Sequence, residues 1–346
     1  MGAITPFALE HGDELRSIIG PPPAKYGTPE FSKQAEEIVS LSGSLTDRQK
    51  AIVEFWCNGS DPDELVANWF RFAEFVSARD HQSGVRGLYL QTPSSNLDDD
   101  VKMYFALSNA LLDASIATWD AKRFYDTARP TTTIPLLSRN KNVKTRGEPG
   151  KETTEADGGL WIPYQPATSP TPPSPEFPSE ESALSAVAAE ILARFSSSDR
   201  FGDSATVQKG SSHTEPGIAP QETVTLKWEA FTNAADEAGM SARYAGIHSP
   251  PPTSPDANSA APSPPAHGPK PNPILTAPPS AHSQLIECIP VRISPTLRAL
   301  GTRTPRAGGS RCAANLGTRS GGSPRVEGDA RGTRKTRLSE LKENKR

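Results

Sequence analysis

Up to about residue 248 the apolar positions of this chain recur at helical spacing. Leu65, Trp69, Phe72 and Val76 fall at i, i+4, i+7 and i+11, which predicts one buried face of a helix. Just before them "SLTDRQKAIVEFW" carries its own start signal, Thr46 with Gln49 three residues later, the pattern of a capping box. Further helices are predicted at about 99–122, 180–196 and 222–240, and Leu184, Val187, Ile191 and Phe195 make a core stripe in the second of these. The first, "DDVKMYFALSNALLDASIATWD", is apolar nearly all round but studded with Ser108, Asn109, Asp113 and Ser115, so it is expected to run through the middle of a bundle. Alternating strand patterns are nearly absent. The pattern therefore predicts an all-α helical bundle with long Pro/Gly-rich loops, the longest being "GEPGKETTEADGGLWIPYQPATSPTPPSPEFP" at 147–178, long enough to suggest a functional loop or lid.

Composition limits how far that bundle extends. The chain has 346 residues and 35 prolines, too many for one packed core. "SPPPTSPDANSAAPSPPAHGPKPNP" has almost nothing to bury, which places a domain boundary at about His248. Residues 283–346 hold 14 Lys+Arg against 5 Asp+Glu, a net +9 that leaves −12 for the rest. The expected organisation is a helical domain over 3–248, a Pro/Ser/Ala-rich linker over 249–282 and a basic disordered tail over 283–346. The tail lacks aromatic interleaving and any binding module, so no nucleic-acid partner is expected. Cys57, Cys288 and Cys312 are too scattered for a disulfide framework or a zinc site. No stretch of 18 apolar residues and no signal-peptide pattern is present, giving the expectation of a soluble, cytoplasmic protein without a membrane span.

The candidate chemistry begins at "AKRFYDTARP". Lys122 and Arg129 are seven residues apart, so a continuing helix would set both on one face, and Pro130 would end that helix. An ammonium and a guanidinium on one face suit an oxoanion, although cations are also ordinary at helix C-termini. "PSEESALSAVAAEIL" is a good helix start, with Ser179 as N-cap and Glu180 and Glu181 complementing the positive end of the helix dipole.

"WDAKRFYDTARP" resembles the first motif, Lys-x6-Arg-Pro, of the vanadium-dependent haloperoxidase and type 2 phosphatidic acid phosphatase (PAP2) superfamily. "KMYFALSNALLDASIATWDAKRFYDTARP", "WIPYQPATSPTPPSPEF" and "TLKWEAFTNAADEAGMSARYAGIH" are similar, in order, to segments of its soluble bacterial haloperoxidase-like branch. The resemblance implies a haloperoxidase/PAP2-like bundle, incomplete at both ends, in which Lys122, Arg129 and Ser179 bind vanadate or phosphate. It also implies that His248 is either the axial ligand of vanadate or the nucleophile toward phosphorus. Hydrogen peroxide and a halide would be the further partners, and a homo-oligomer is left open.

The family pattern is broken at four positions. Glu180 and Glu181 stand where the second motif has Gly and His, which makes Glu181 a candidate general acid if burial raises its pKa. Ala242 stands in the place of the third motif's arginine; Arg243, next door, is a candidate ligand turned by about 100° from that direction. Pro252 replaces the aspartate that would orient the histidine. Residues 82–96 read as an insertion, and the abrupt change after His248 suggests that 249–346 arises from a frame change, an unspliced segment or a misplaced gene end. The expected function is a vanadium-dependent haloperoxidase impaired in this chain. The alternatives are an acid phosphatase acting through a phosphohistidine and a non-catalytic helical remnant.

Overall fold

The structure, a computed structural model, describes residues 4–17, 21–57, 62–83, 96–146 and 153–251. Most of the insertion expected at 82–96, all but the first residues of the linker at 249–282, and the whole basic tail lie outside the described residues. Among those described there are seven α-helices and two antiparallel hairpins.

Helices α1 (Pro29–Ser42), α2 (Asp47–Trp56) and α3 (Pro62–Ser83) come first. The capping box of α2 is present, the Thr46 side chain accepting from the Gln49 backbone and the Gln49 side chain accepting from the Thr46 N–H. Leu65, Trp69, Phe72 and Val76 are all buried on α3, as their spacing predicts. There they meet Trp56 of α2 in a cluster of edge-on and tilted rings, with Trp56 and Trp69 5.9 Å apart and Trp69 and Phe72 5.3 Å apart.

Helix α4 (Asn96–Tyr125) runs against α3 and α6 (Glu180–Ser196) as the central rod. Its mid-helix carboxylate, Asp113, is fully buried and accepts from the backbone N–H groups of Phe7, Ala8 and Leu9 at 2.6, 2.6 and 3.2 Å. The polar residue that looked out of place in an apolar helix thus ties the N-terminal segment to the bundle.

Two expectations need correction. Helix α4 does not run on to Pro130: it ends at Tyr125, Asp126 takes a left-handed φ of 45°, and Pro130 opens α5 (Pro130–Ser138) as its first residue, with Arg129 as N-cap. Proline needs no N–H at the first helical position, and it holds the residue before it extended, here ψ 159° at Arg129.

The helix expected at 222–240 is in its first part a strand. Val224–Ala230 forms β4, which pairs antiparallel with β3 (Arg200–Val207) in a register from Arg200↔Ala230 to Val207↔Val224. Its alternation buries Leu226 and Trp228 against the aromatic cluster, Trp228 lying 5.7 Å from Trp56 and 5.2 Å from Phe72. The helix proper is α7 (Phe231–Tyr244), whose N-cap Ala230 has no capping side chain. Asp199, which precedes β3, supplies the cap: its carbonyl accepts from Phe231 N at 2.9 Å and its carboxylate from Thr232 N at 3.1 Å and Thr232 Oγ1 at 2.6 Å. A second hairpin, β1 (Asn142–Thr145) with β2 (Thr154–Asp157), lies beside α1.

Helix α6 packs on α7, α4 and α3, and this packing brings three chain segments to one place: the α4–α5 turn, the N-terminus of α6 and the C-terminus of α7.

Candidate oxoanion site

Three local devices set up the site. The α4–α5 turn carries Lys122 on the last turn of α4 and Arg129 at the cap of α5, so the two cations share a cleft without sharing a helix face. Ser179 caps α6, accepting from Ser182 N at 3.3 Å, which sets Glu180 and Glu181 in the first turn. At the end of α7, Gly246 has φ +76°, and Ile247 N and His248 N both turn back onto the Ala242 carbonyl at 3.0 and 3.4 Å. A Cβ on Gly246 would come 3.0 Å from the Trp161 ring, so glycine is required there by conformation and by space.

His248 is almost wholly buried between two carboxylates. Its Nε2 lies 3.3 Å from Glu181 Oε2, and its Nδ1 lies 3.6 Å from Glu176 Oε1 and has no hydrogen-bond partner. Ser179 Oγ donates to the same Glu181 Oε2 at 2.9 Å. Arg129 Nη1 is 3.2 Å from His248 Nε2 and donates to the Ile247 carbonyl at 3.0 Å. A proton on Nε2 directed at Glu181 is compatible with both contacts, because the guanidinium proton then goes to the carbonyl.

The two cations are held by the end of the long loop. Lys122 Nζ donates to the carbonyls of Pro175 and Glu176 at 2.9 and 3.1 Å. Arg129 donates from Nε to the Ser174 carbonyl at 2.8 Å and from Nη2 to Ser174 Oγ at 3.0 Å. The loop expected to carry a function thus acts here as a strap across the cations, spending donors that an anion would otherwise use.

Burial pushes the Lys122 ammonium down to about 8, against the pull of Glu181, and burial likewise lowers Arg129. Burial alone would raise the Glu181 carboxyl, but His248 and then Lys122 bring it well below the usual carboxylate range. That direction is opposite to what a general acid at Glu181 requires. Glu180 is raised, chiefly by burial, and accepts from Trp119 Nε1 at 3.2 Å.

The structure therefore brings together Lys122, Arg129, Ser179, Glu181 and His248, and leaves Arg243 out. Arg243 ion-pairs with Glu37 and reaches Met240 Sδ at 3.3 Å, on the outer side of α7. The rotation of about 100° that separates positions 242 and 243 is real, and Ala242 points into the core instead.

Sequence reasoning missed Glu176. Its Oε1 accepts from Ser249 N at 2.6 Å and is the carboxylate facing the His248 Nδ1 edge, a place for which the residue at 252 was sought. No local signal marked it, since it lies near the end of a proline-rich loop, outside any periodic element.

As placed, these residues do not fit a free vanadate or phosphate. The space beside His248 Nε2 that such an anion needs holds the Glu181 carboxylate, and most of the flanking cationic donors are bonded to carbonyls.

A family model described as the VCPO second helical-bundle domain matches residues 102–256. Among solved structures the chain is similar to an apo-type bacterial vanadium-dependent chloroperoxidase, with a TM-score of 0.60 at 20% identity over 70% of this chain and 49% of that one. It is also similar to a holo-type bacterial vanadium-dependent chloroperoxidase, with a TM-score of 0.59 at 18% identity over 86% of this chain and 53% of that one. The chain spans about half the length of these structures, and at such identity the likeness is one of fold. No curated protein matches the sequence. The region that matches this haloperoxidase domain is the one that carries Lys122, Arg129, Ser179 and His248, and the chain shares the helical fold of these structures.

Proposed function

We propose that the chain is a vanadium-dependent haloperoxidase-like protein whose oxoanion site is impaired. The observation that carries this reading is that Ser179 and His248 both contact one carboxylate oxygen, Glu181 Oε2, while the buried cations Lys122 and Arg129 lie close enough to feel the charge of Glu181. Two buried cations, a serine hydroxyl, a helix N-terminus and a histidine are the donor set for an oxoanion; here the hydroxyl and the histidine hold a carboxylate, and the cations are bonded to the loop. Vanadate or phosphate would be held by these same residues, with hydrogen peroxide and a halide as the partners of the vanadate form.

Impairment follows from charge and donor count. A fixed carboxylate repels a second anion at short range, and an anion that displaced it would leave Glu181 without its Ser179 and His248 partners. Nothing in the geometry favours the phosphohistidine alternative over this one. Among the described residues no helix is long and apolar enough to cross a membrane.

Orthovanadate titration of the full chain by isothermal calorimetry, followed by an assay with peroxide and bromide, tests the proposal. The expected result is no saturable heat in the micromolar range and no bromide oxidation above the protein-free rate. Saturable micromolar binding with turnover would show an unimpaired site.

A further inference from the structure

Of the three carboxylates at the site, two are occupied elsewhere. Glu176 Oε1 accepts from Ser249 N at 2.6 Å, and Glu180 Oε1 accepts from the Trp119 indole at 3.2 Å. Glu181 alone faces His248 Nε2, at 3.3 Å, with its oxygen also taken by the Ser179 hydroxyl at 2.9 Å. It keeps 21% of its side chain exposed, against 3% for His248, so it lies toward solvent from the buried histidine.

We infer that Glu181 is the resident anion of this cradle, and that this one side chain decides its specificity by excluding tetrahedral oxoanions, toward which Lys122 and Arg129 would turn from the loop carbonyls once it is removed. The inference rests on the haloperoxidase-like reading of the site and adds to it the single residue that closes it. The physical reason is that the exposed end of the cradle is covered by a side chain from the first turn of α6 and not by backbone. Removing that side chain leaves Ser179 as the N-cap, leaves the α6 amide groups at the helix N-terminus, and leaves Lys122 and Arg129 nearby without their strongest negative neighbour. Glycine in the first turn of a helix is tolerated better than in its interior.

The test compares the wild-type chain with Glu181→Gly and Glu181→Gln, titrated in turn with inorganic phosphate and with orthovanadate by calorimetry. Melting curves without and with each anion accompany the titrations. Glutamine keeps the size of the side chain and loses its charge, so it answers the question if the glycine variant folds poorly. Both anions share the tetrahedral chemistry, and the two arms show which of them the opened cradle prefers.

The expected result is oxoanion binding to Glu181→Gly at least about ten-fold tighter than to wild type, with a matching rise in melting temperature. That gain is expected to be lost when Arg129→Gln is added. Wild type binding either anion as tightly as Glu181→Gly would overturn the inference while leaving the haloperoxidase-like cradle standing. Folded Glu181→Gly and Glu181→Gln that both fail to bind would overturn the cradle reading together with the inference.

Discussion

The aromatic core and the charged site are both buried, yet they are built in opposite ways. In the core, Trp56, Trp69, Phe72 and Trp228 come from three elements and touch ring to ring, and the burial of Trp69 and Phe72 is implied by their own periodicity. In the site, Lys122, Arg129, Ser179, Glu181 and His248 come from a turn, a cap and a helix end, and each is buried only because the others and the loop carbonyls satisfy it. Apolar burial is non-directional and tolerates local error. Burial of charge needs every partner in place, so a substitution in the site is expected to change binding and titration more than it changes folding.

The largest expected effect breaks the core side of this comparison. Phe72→Ala removes a ring that packs on Trp56, Trp69, Phe201 and Trp228, and is expected to lower unfolding free energy by about 3–5 kcal/mol in denaturant titration. If the chain remains folded, the calorimetric response of the site to anions should not change.

Lys122 sharpens the site side. Its folded pKa of about 8 lies below the ordinary lysine value of 10.5, so between those pH values Lys122 binds more protons in the unfolded chain and its contribution to stability rises with pH. The rise is on the order of a few kcal/mol across that window. Lys122→Met is expected to lack it, and to lose little stability at neutral pH because a buried ion's desolvation is removed together with its attraction. Chemical denaturation of wild type and Lys122→Met at several pH values between 7 and 11 checks both parts as a difference, since buried Cys57 and Tyr164, both raised by burial, lower the two curves alike at the alkaline end; a difference that does not change with pH would contradict the assignment.

Gly246 lies at the edge of the site, in the turn before His248. Gly246→Ala meets a left-handed φ of +76° and the Trp161 ring, and is expected to cost about 1–3 kcal/mol in thermal or denaturant unfolding. It should also shift the His248 ring resonances in NMR spectra, since His248 follows directly from that turn.

Arg243→Ala gives the smallest effect. Its partner Glu37 is largely exposed, so the change is expected to lie within about 1 kcal/mol, with no change in anion response in either the wild-type or the Glu181→Gly background. A loss of oxoanion binding in the second background would return Arg243 to the site.

The bounds of helix α6 were legible: Ser179, the acidic first turn and the apolar stripe predict Glu180–Ser196, and of that stripe Leu184, Val187 and Ile191 are buried while Phe195 is only partly so. The capping box of α2 and the buried face of α3 were equally plain, because caps and periodicity act within a few residues. The start of α7 was not legible, since its capping residue, Asp199, lies 33 residues away from Thr232. Strand β4 was read as helix for a related reason: seven alternating residues next to a helical run are decided by whether a partner strand exists, and that partner is β3.

The same division runs through the site. By itself the sequence determined which residue types were available and the cap at Ser179, because a cap depends on backbone geometry over a few positions. Only the tertiary structure decided that Lys122 and Arg129 are tied down by carbonyls of 174–176, that Glu176 faces His248, that Arg243 points outward, and that Glu181 lies between Ser179 and His248. Those are contacts between segments far apart in the chain, set by how α4, α6 and α7 pack. A carboxylate's role as cap, acid or resident anion depends on the charges that this packing places around it.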